Sequence, residues 1–376
     1  MKDVCDDYGI ISQASPHTIK KFELIEKYVV TWAQKLLNNH YCERLIFIDC
    51  MSNSGEYRDK SGNCVWGTPV RAAKVLRDAA GQYPNKKIDL YFNDISSERI
   101  SHLQSIIPFE KDNFRIHLSV GDGNEMLKRI SQSLFNMSAT HYLLVYDPYE
   151  ANIDWGAIMP FLNKWGEVII NHMVSDSIRA IKMAKSQVAI SKYERTYLTS
   201  IEQLIPYGSN RETYEERVEK IIHLLHRNKE RSYFVSAFPF FNSKNAIVYN
   251  LIHCTNNIAG FRLYKETAWR TFGGKSSTKN THGSENQYLL DFDNTGWGTK
   301  SYIDESCYYV KDIAEYLQRV FDGKNDVCLE DMWAALDSHP VFPSTGFRRQ
   351  IKSELKRNYG AKEARGKMSF ANRGIF

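Results

Sequence analysis

The stretch Leu45-Ile-Phe-Ile-Asp49-Cys-Met-Ser-Asn-Ser-Gly55 decides how this chain is read. An unbroken apolar run ends on a carboxylate, and small polar residues then lead to a glycine. This is the form of a buried parallel strand followed by a ligand loop. In a doubly wound α/β sheet, ligands sit beyond the carboxyl ends of the strands, so the loop after Asp49 is the first place to expect one. It is not the dinucleotide fingerprint, which needs two more glycines than Gly55 supplies. Small residues such as Ser52 and Gly55 suit S-adenosylmethionine better than a pyrophosphate. An ordinary turn after a buried strand has the same form, and three later strand ends shift the balance.

Asp89-Leu-Tyr-Phe-Asn93-Asp94 reads as a second strand ending in an acid. At that place Asp94 can accept hydrogen bonds from both hydroxyls of a ribose, or serve only as a turn or helix cap. Phe114-Arg-Ile-His-Leu118 is a short third strand, and Gly121-Asp122-Gly123 follows it. Asp122 can reach the exocyclic amine of an adenine, or cap the helix that begins at Asn124. The fourth strand, His141-Tyr-Leu-Leu-Val-Tyr146, runs into Asp147-Pro148-Tyr149-Glu150. An aspartate and the next backbone carbonyl both accept from an NH₂ group while the aromatic ring stacks on the base, so this tetrad can grip a planar amine. It also reads as a plain strand-to-loop turn. Gly166–Asn171 makes a fifth strand, and Tyr233–Phe241 with Ala246–His253 reads as an antiparallel hairpin closing the sheet. The expected fold is α/β, a doubly wound, mostly parallel seven-stranded sheet.

Around that sheet, residues 1–16 read as a loose arm, and a helix with Thr18 as its cap presents Leu24, Ile25, Tyr28, Val29, Trp32 and Leu36 on one face. A polar loop is expected up to Gly67, with a helix after it. A charged helical insertion is expected at about 190–232, a linker at 276–290 and a separate domain at 291–376. The net charge of +5 is mild, but from Val341 to Phe376 nine lysines and arginines face two acids, a net of +7. Three helices and a hairpin there, with the third helix basic, resemble a winged helix. Arg348, Arg349, Lys352, Lys356 and Lys367 are its candidate nucleic-acid contacts. The alternative is a basic helix that faces solvent or a protein partner. Seven scattered cysteines with no C-x-x-C pair indicate neither zinc nor a disulfide framework and fit a reducing cytoplasm. No run of about 18 apolar residues indicates a membrane span.

The motifs together resemble one known family. His17-Thr18-x-Lys20-Lys21 with Tyr28 and Trp32, Phe47-Ile48-Asp49 with Gly55, Tyr146-Asp147-Pro148, and Tyr249-Asn-Leu-Ile-His253 leading to Gly260-Phe-Arg-Leu-Tyr264 resemble the three-Cys-motif partner (TcmP) family across most of residues 17–275. That family is similar to class I S-adenosylmethionine-dependent methyltransferases. The resemblance implies a Rossmann-like methyltransferase domain, S-adenosylmethionine as cofactor, and a separate three-cysteine, radical-SAM-like protein as partner. The family's first loop commonly reads Asp-Gly-Phe-Ala-Gly-x-Gly, and here Asp49 to Gly55 is bulkier and more polar. Asp147-Pro148-Tyr149-Glu150 stands closer to the adenine-N6 methyltransferases of ribosomal RNA. Two functions follow: methyl transfer to an exocyclic base amine, or a catalytically inactive subunit that binds nucleic acid and presents it to the partner. In the first, Asp49, Ser52, Gly55, Asp94 and Asp122 hold the cofactor, and Asp147, Pro148 and Tyr149 hold the target amine.

Overall fold

A computed structural model describes residues 9–149, 152–173, 187–198, 225, 233–280 and 307–373. The first helix, α1 (Pro16–Leu37), follows a two-residue strand, β1 (Ser12–Gln13). Ser15, not the expected Thr18, caps α1: its extended backbone lets the hydroxyl accept from Thr18 N–H at 3.3 Å, and Pro16 fills a first-turn position that needs no donor. Strand β2 (Arg44–Asp49) then leads to a hairpin, β3 (Glu56–Arg58) and β4 (Cys64–Trp66), where a polar loop was expected. β1 pairs in parallel with β3, so Ser12 and Gln13 are anchored to that hairpin. Helix α2 (Thr68–Gln82), strand β5 (Lys87–Asp94), helix α3 (Ser97–Ile106), strand β6 (Phe114–Val120), helix α4 (Gly123–Leu134) and strand β7 (Thr140–Tyr146) follow. Next come α5 (Trp155–Leu162), β8 (Gly166–Met173), α6 (Gln187–Tyr197), β9 (Phe234–Phe241), β10 (Ile247–Thr255) and α7 (Ile258–Thr271). Most of the expected 190–232 insertion, including Tyr214, Val218, Ile221 and Ile222, lies outside the described residues.

The large sheet has the order β6-β5-β2-β7-β8-β10-β9, and only β10 runs antiparallel to its neighbours. Counted among these seven strands, that is 3-2-1-4-5-7-6, the class I methyltransferase order that the family resemblance implied, and each strand starts within two residues of its expected position. Leu45 and Phe47 of β2 enter the core beneath α1 and α2, while Ile46 and Ile48 enter the opposite layer with α4 and α5. Burial on both faces is the reason the strand reads as a continuous apolar run.

The C-terminal region holds α8 (Val310–Val320), β11 (Val327–Cys328), α9 (Leu329–Ala335), α10 (Arg348–Tyr359), β12 (Lys362–Ala364) and β13 (Lys367–Ser369), with sheet order β11-β13-β12. The sequence places the hairpin at Gly366–Phe376, but it lies earlier, because Arg365 and Gly366 take left-handed φ of 48° and 75° and make the turn between β12 and β13. Phe370, just past the hairpin, is buried. This region is pinned to α7: buried Lys265 donates to the carbonyls of Leu336 and His339, each at 2.9 Å, Arg262 grips Asp337 with two nitrogens, and Trp269 Nε1 donates to Val341 O at 2.8 Å. Burial brings the Lys265 ammonium down to about 7.

Candidate cofactor and acceptor site

The order β6-β5-β2-β7 sets Asp122, Asp94, Asp49 and Asp147 side by side at the carboxyl edge of the sheet, where the strand order reverses. The loop after Asp49 is built by hydrogen bonds into β5. Ser52 N–H and Oγ both donate to Asn93 O, at 2.8 and 3.1 Å. Asn53 takes a left-handed φ of 56°, and its N–H donates to Asp94 Oδ2 at 3.0 Å. Gly55 must be glycine: its φ is 75°, and a Cβ there would lie 2.5 Å from Leu103 Cδ1. Asn93, to which the sequence pattern assigned no role, ties two ligand loops together. Its amide nitrogen donates to Cys50 O at 3.1 Å and Gly121 O at 2.8 Å, and its carbonyl accepts from Ser119 Oγ at 2.8 Å. A polar residue inside an apolar strand was the available signal.

Asp94 is buried, and both of its oxygens are engaged. Oδ2 accepts from Asn53 N–H and, at 3.3 Å, from the Tyr149 hydroxyl. Oδ1 accepts from Ser96 N–H at 3.0 Å and lies 3.7 Å from Arg99 Nη1. Asp122 is exposed and caps α4, with Oδ1 accepting from the backbone of Asn124 and Glu125 at 2.8 and 3.0 Å. Gly123 brings α4 so close to the first loop that a Cβ would lie 2.6 Å from Cys50 O. Ile95 and Val120 leave the same edge exposed, at 74% and 53%, and were also missed.

On the other side of β2, Asp147 is held at both oxygens: Oδ2 by Lys21 of α1, and Oδ1 by Asn171 Nδ2 at 2.5 Å. Lys21 is itself buried, with its ammonium 5.3 Å from the ring centre of Tyr249, whose hydroxyl donates to His17 O at 2.9 Å. The His17-to-Lys21 motif and the Tyr249 motif therefore meet at Asp147. Asp49 lies within reach of this pair. Burial, and after it the negative charge of Asp147, raises its carboxyl to about 8, and Met51 N–H donates to its Oδ1 at 3.3 Å. At neutral pH Asp49 is therefore a protonated acid. Pro148 is buried, and Tyr149, half exposed, turns back toward Asp94. Burial, then the charge of Asp94, pushes the Tyr149 phenol up.

A second buried polar cluster lies at the opposite edge of the sheet. The Tyr28 hydroxyl donates to Glu167 Oε2, His253 Nε2 is 2.7 Å from the same oxygen, and Tyr264 stacks on His253 at 4.2 Å. Hydrogen bonding from His253, against the opposing effect of burial, holds the Glu167 carboxyl low, and burial lowers the His141 imidazole to about 4. Tyr28, His253 and Tyr264 are thus kept away from the site.

On the C-terminal region, Lys352 and Lys356 both pair with Glu363, at 2.7 and 2.6 Å. Arg348 donates to Ser344 O at 2.9 Å and lies over Trp333 at 5.1 Å. Arg349 and Lys367 are exposed, and so are Lys362 and Arg365 on the hairpin.

No family model and no curated protein matches the chain. Among solved structures, it is similar to protein LPL1258 of Legionella pneumophila, at 12% identity over 67% of this chain and 92% of that one, TM-score 0.40. It is also similar to an O-methyltransferase of Bacillus cereus solved with S-adenosylhomocysteine (10% identity, 61% and 80% covered, TM-score 0.34). Human methyltransferase-like protein 13, solved with the same ligand, is a third (11% identity, 73% and 97% covered, TM-score 0.31). These likenesses are distant, and the class I methyltransferase-like fold rests on the strand order itself. Among the described residues no helix is long and apolar enough to cross a membrane, and no group of three or more His, Cys, Asp or Glu is placed to hold a metal ion.

Proposed function

We propose that the protein is a class I methyltransferase of the three-Cys-motif partner kind, binding S-adenosylmethionine and acting on an exocyclic amine of a nucleic-acid base, with adenine N6 the first choice. The observation that carries this reading is the convergence of Asp49, Asp94, Asp122 and Asp147 on one edge of a sheet with methyltransferase strand order. The residues fit the cofactor. Asp94 stands where a nucleoside-binding sheet holds a ribose, Ile95 and Val120 offer apolar surface for a flat base, and Asp122 can take its amine. Bound there, S-adenosylmethionine would supply an electrophilic methyl group.

The chain's own residues would orient the acceptor. Lys21 and Asn171 hold the Asp147 carboxylate in one place, so an incoming amine meets a fixed acceptor, and the half-exposed ring of Tyr149 offers a stacking face. Orientation lowers the barrier without a proton being removed first. The exposed cations of α10 and the hairpin would bind the polynucleotide backbone by charge, in the manner of a winged helix. A three-cysteine, radical-SAM-like protein would be the partner.

The test is isothermal titration of Asp94→Ala and Asp147→Ala with S-adenosylmethionine, alongside methyl transfer to total cellular RNA and DNA. Asp94→Ala should weaken cofactor binding. Asp147→Ala should keep it and slow transfer on the order of 10- to 100-fold. Equal loss of cofactor affinity in both would overturn the assignment. The full engagement of both Asp94 oxygens favours a second reading, an inactive subunit that presents nucleic acid to the partner. Wild-type protein that binds nucleic acid but neither S-adenosylmethionine nor S-adenosylhomocysteine would decide for it.

A further inference from the structure

We propose that Tyr149 is a latch across the cofactor cleft, competing with the cofactor for Asp94. The inference rests on the cofactor reading above and adds a regulatory step to it. Tyr149 follows the end of β7 and Asp94 ends β5, and β2 lies between those strands. Neighbouring strands are about 4.8 Å apart, so β7 and β5 stand roughly 10 Å apart, and a side-chain contact between residues at their carboxyl ends bridges the end of β2. That is the place where the loop from Asp49 to Gly55 would hold a ligand.

Three contacts make the latch. The Tyr149 hydroxyl donates to Asp94 Oδ2 at 3.3 Å. The same hydroxyl accepts from Arg99 Nη1 at 3.0 Å, so both of its hydrogen-bonding roles are filled. Arg99, standing 3.7 Å from Asp94 Oδ1 with its guanidinium carbon 5.8 Å from the ring centre of Tyr149, supports the contact from outside.

The geometry explains why Asp94 serves two partners. A ribose hydroxyl needs an acceptor oxygen, and on this carboxylate Oδ2 is shared between the Asn53 backbone and the Tyr149 hydroxyl. Of those two, the Asn53 amide is part of the folded loop. Tyr149 is 51% exposed, and only its side chain need turn to release the oxygen. A cofactor therefore binds the fraction of molecules in which the latch is open, and its apparent affinity is reduced by that fraction.

The experiment is calorimetric titration of S-adenosylhomocysteine into the full chain as wild type, Tyr149→Phe and Asp94→Asn, with circular dichroism melts to establish that each is folded. Tyr149→Phe keeps the ring and loses the hydroxyl, so the closed state loses a charge-assisted bond and affinity should rise on the order of tenfold. Asp94→Asn should bind more weakly than wild type. Equal or weaker binding by Tyr149→Phe, with wild type binding measurably, overturns the latch and leaves the cofactor reading intact. Absence of binding by all three proteins overturns the cofactor reading and the latch with it.

Discussion

Asp49→Asn should stabilise the protein, and by an amount that grows with pH. The wild-type carboxyl titrates at about 8 in the folded chain against an ordinary value of 3.8, because burial and then the charge of Asp147 disfavour its ionised form. The folded state thus keeps a proton that the unfolded chain gives up, and stability falls as pH rises from about 4 to about 8. Near pH 6 the unfolded chain has titrated about two units beyond its pKa, worth roughly 3 kcal/mol. Near pH 8 the difference is about 5 kcal/mol, and above that it levels off at about 6 kcal/mol. Asparagine has no proton to release and keeps an acceptor for the Met51 N–H, so it is free of this penalty. Thermal unfolding of both proteins from pH 5 to pH 9 measures it: the two curves should separate as pH rises and then run parallel. A constant gap, or a variant less stable than wild type at every pH, would refute an Asp49 that is protonated at neutrality.

Four further outcomes are expected. Lys21→Met should cost roughly 2–3 kcal/mol, less than a fully buried pair because Asp147 is about one-quarter exposed, and Asp147→Asn in the same chain should restore part of it, as a double-mutant cycle in denaturant would show. His141 is held neutral down to about 4 against 6.5 for the ordinary imidazole, so its contribution is lost as pH falls from about 6.5 to 4, on the order of 3 kcal/mol in all. His141→Leu should flatten that acid limb, and superimposable melts over this range would rule the effect out. Tyr28→Phe leaves Glu167 with one donor fewer in a dry interior and should cost about 1–3 kcal/mol in unfolding free energy. Charge reversal at Arg349, Lys362, Arg365 and Lys367 should weaken nucleic-acid binding and flatten its salt dependence, the log–log slope falling by about one for each phosphate no longer neutralised, whereas reversal at Glu363-paired Lys352 should do less.

The centre of the sheet was legible because its strands are buried on both faces, so that each apolar run, from Leu45 or from His141, marks its own position. Helices α3 and α5 were not. Among the residues of α3 only Ile100 and Leu103 are buried, too few to show a period, and α5 is an eight-residue apolar segment with Pro160 inside it, which has no polar face to alternate with. The acids at the strand ends were legible for the same local reason as the strands. What holds them was not: Lys21 is 126 residues from Asp147, and Tyr28 is 225 from His253. No local rule joins residues so far apart. The motif around Lys21 and Tyr28 could be seen, but its division between the site and a buried cluster at the other edge depends on where α1 crosses the sheet.

The pairing of β1 with β3 has a practical meaning for anyone who shortens or tags this protein. Asn53 Nδ2 lies 3.4 Å from Ser12 Oγ, and Ala14 N–H donates to Arg58 O at 2.7 Å, so a short leading segment braces the first loop from outside. A version trimmed to begin at α1 would keep every strand of the large sheet but lose this brace. Its loop, freed along that side, would bind ligand more loosely, and a weak affinity measured on such a version would describe the trimming rather than the protein.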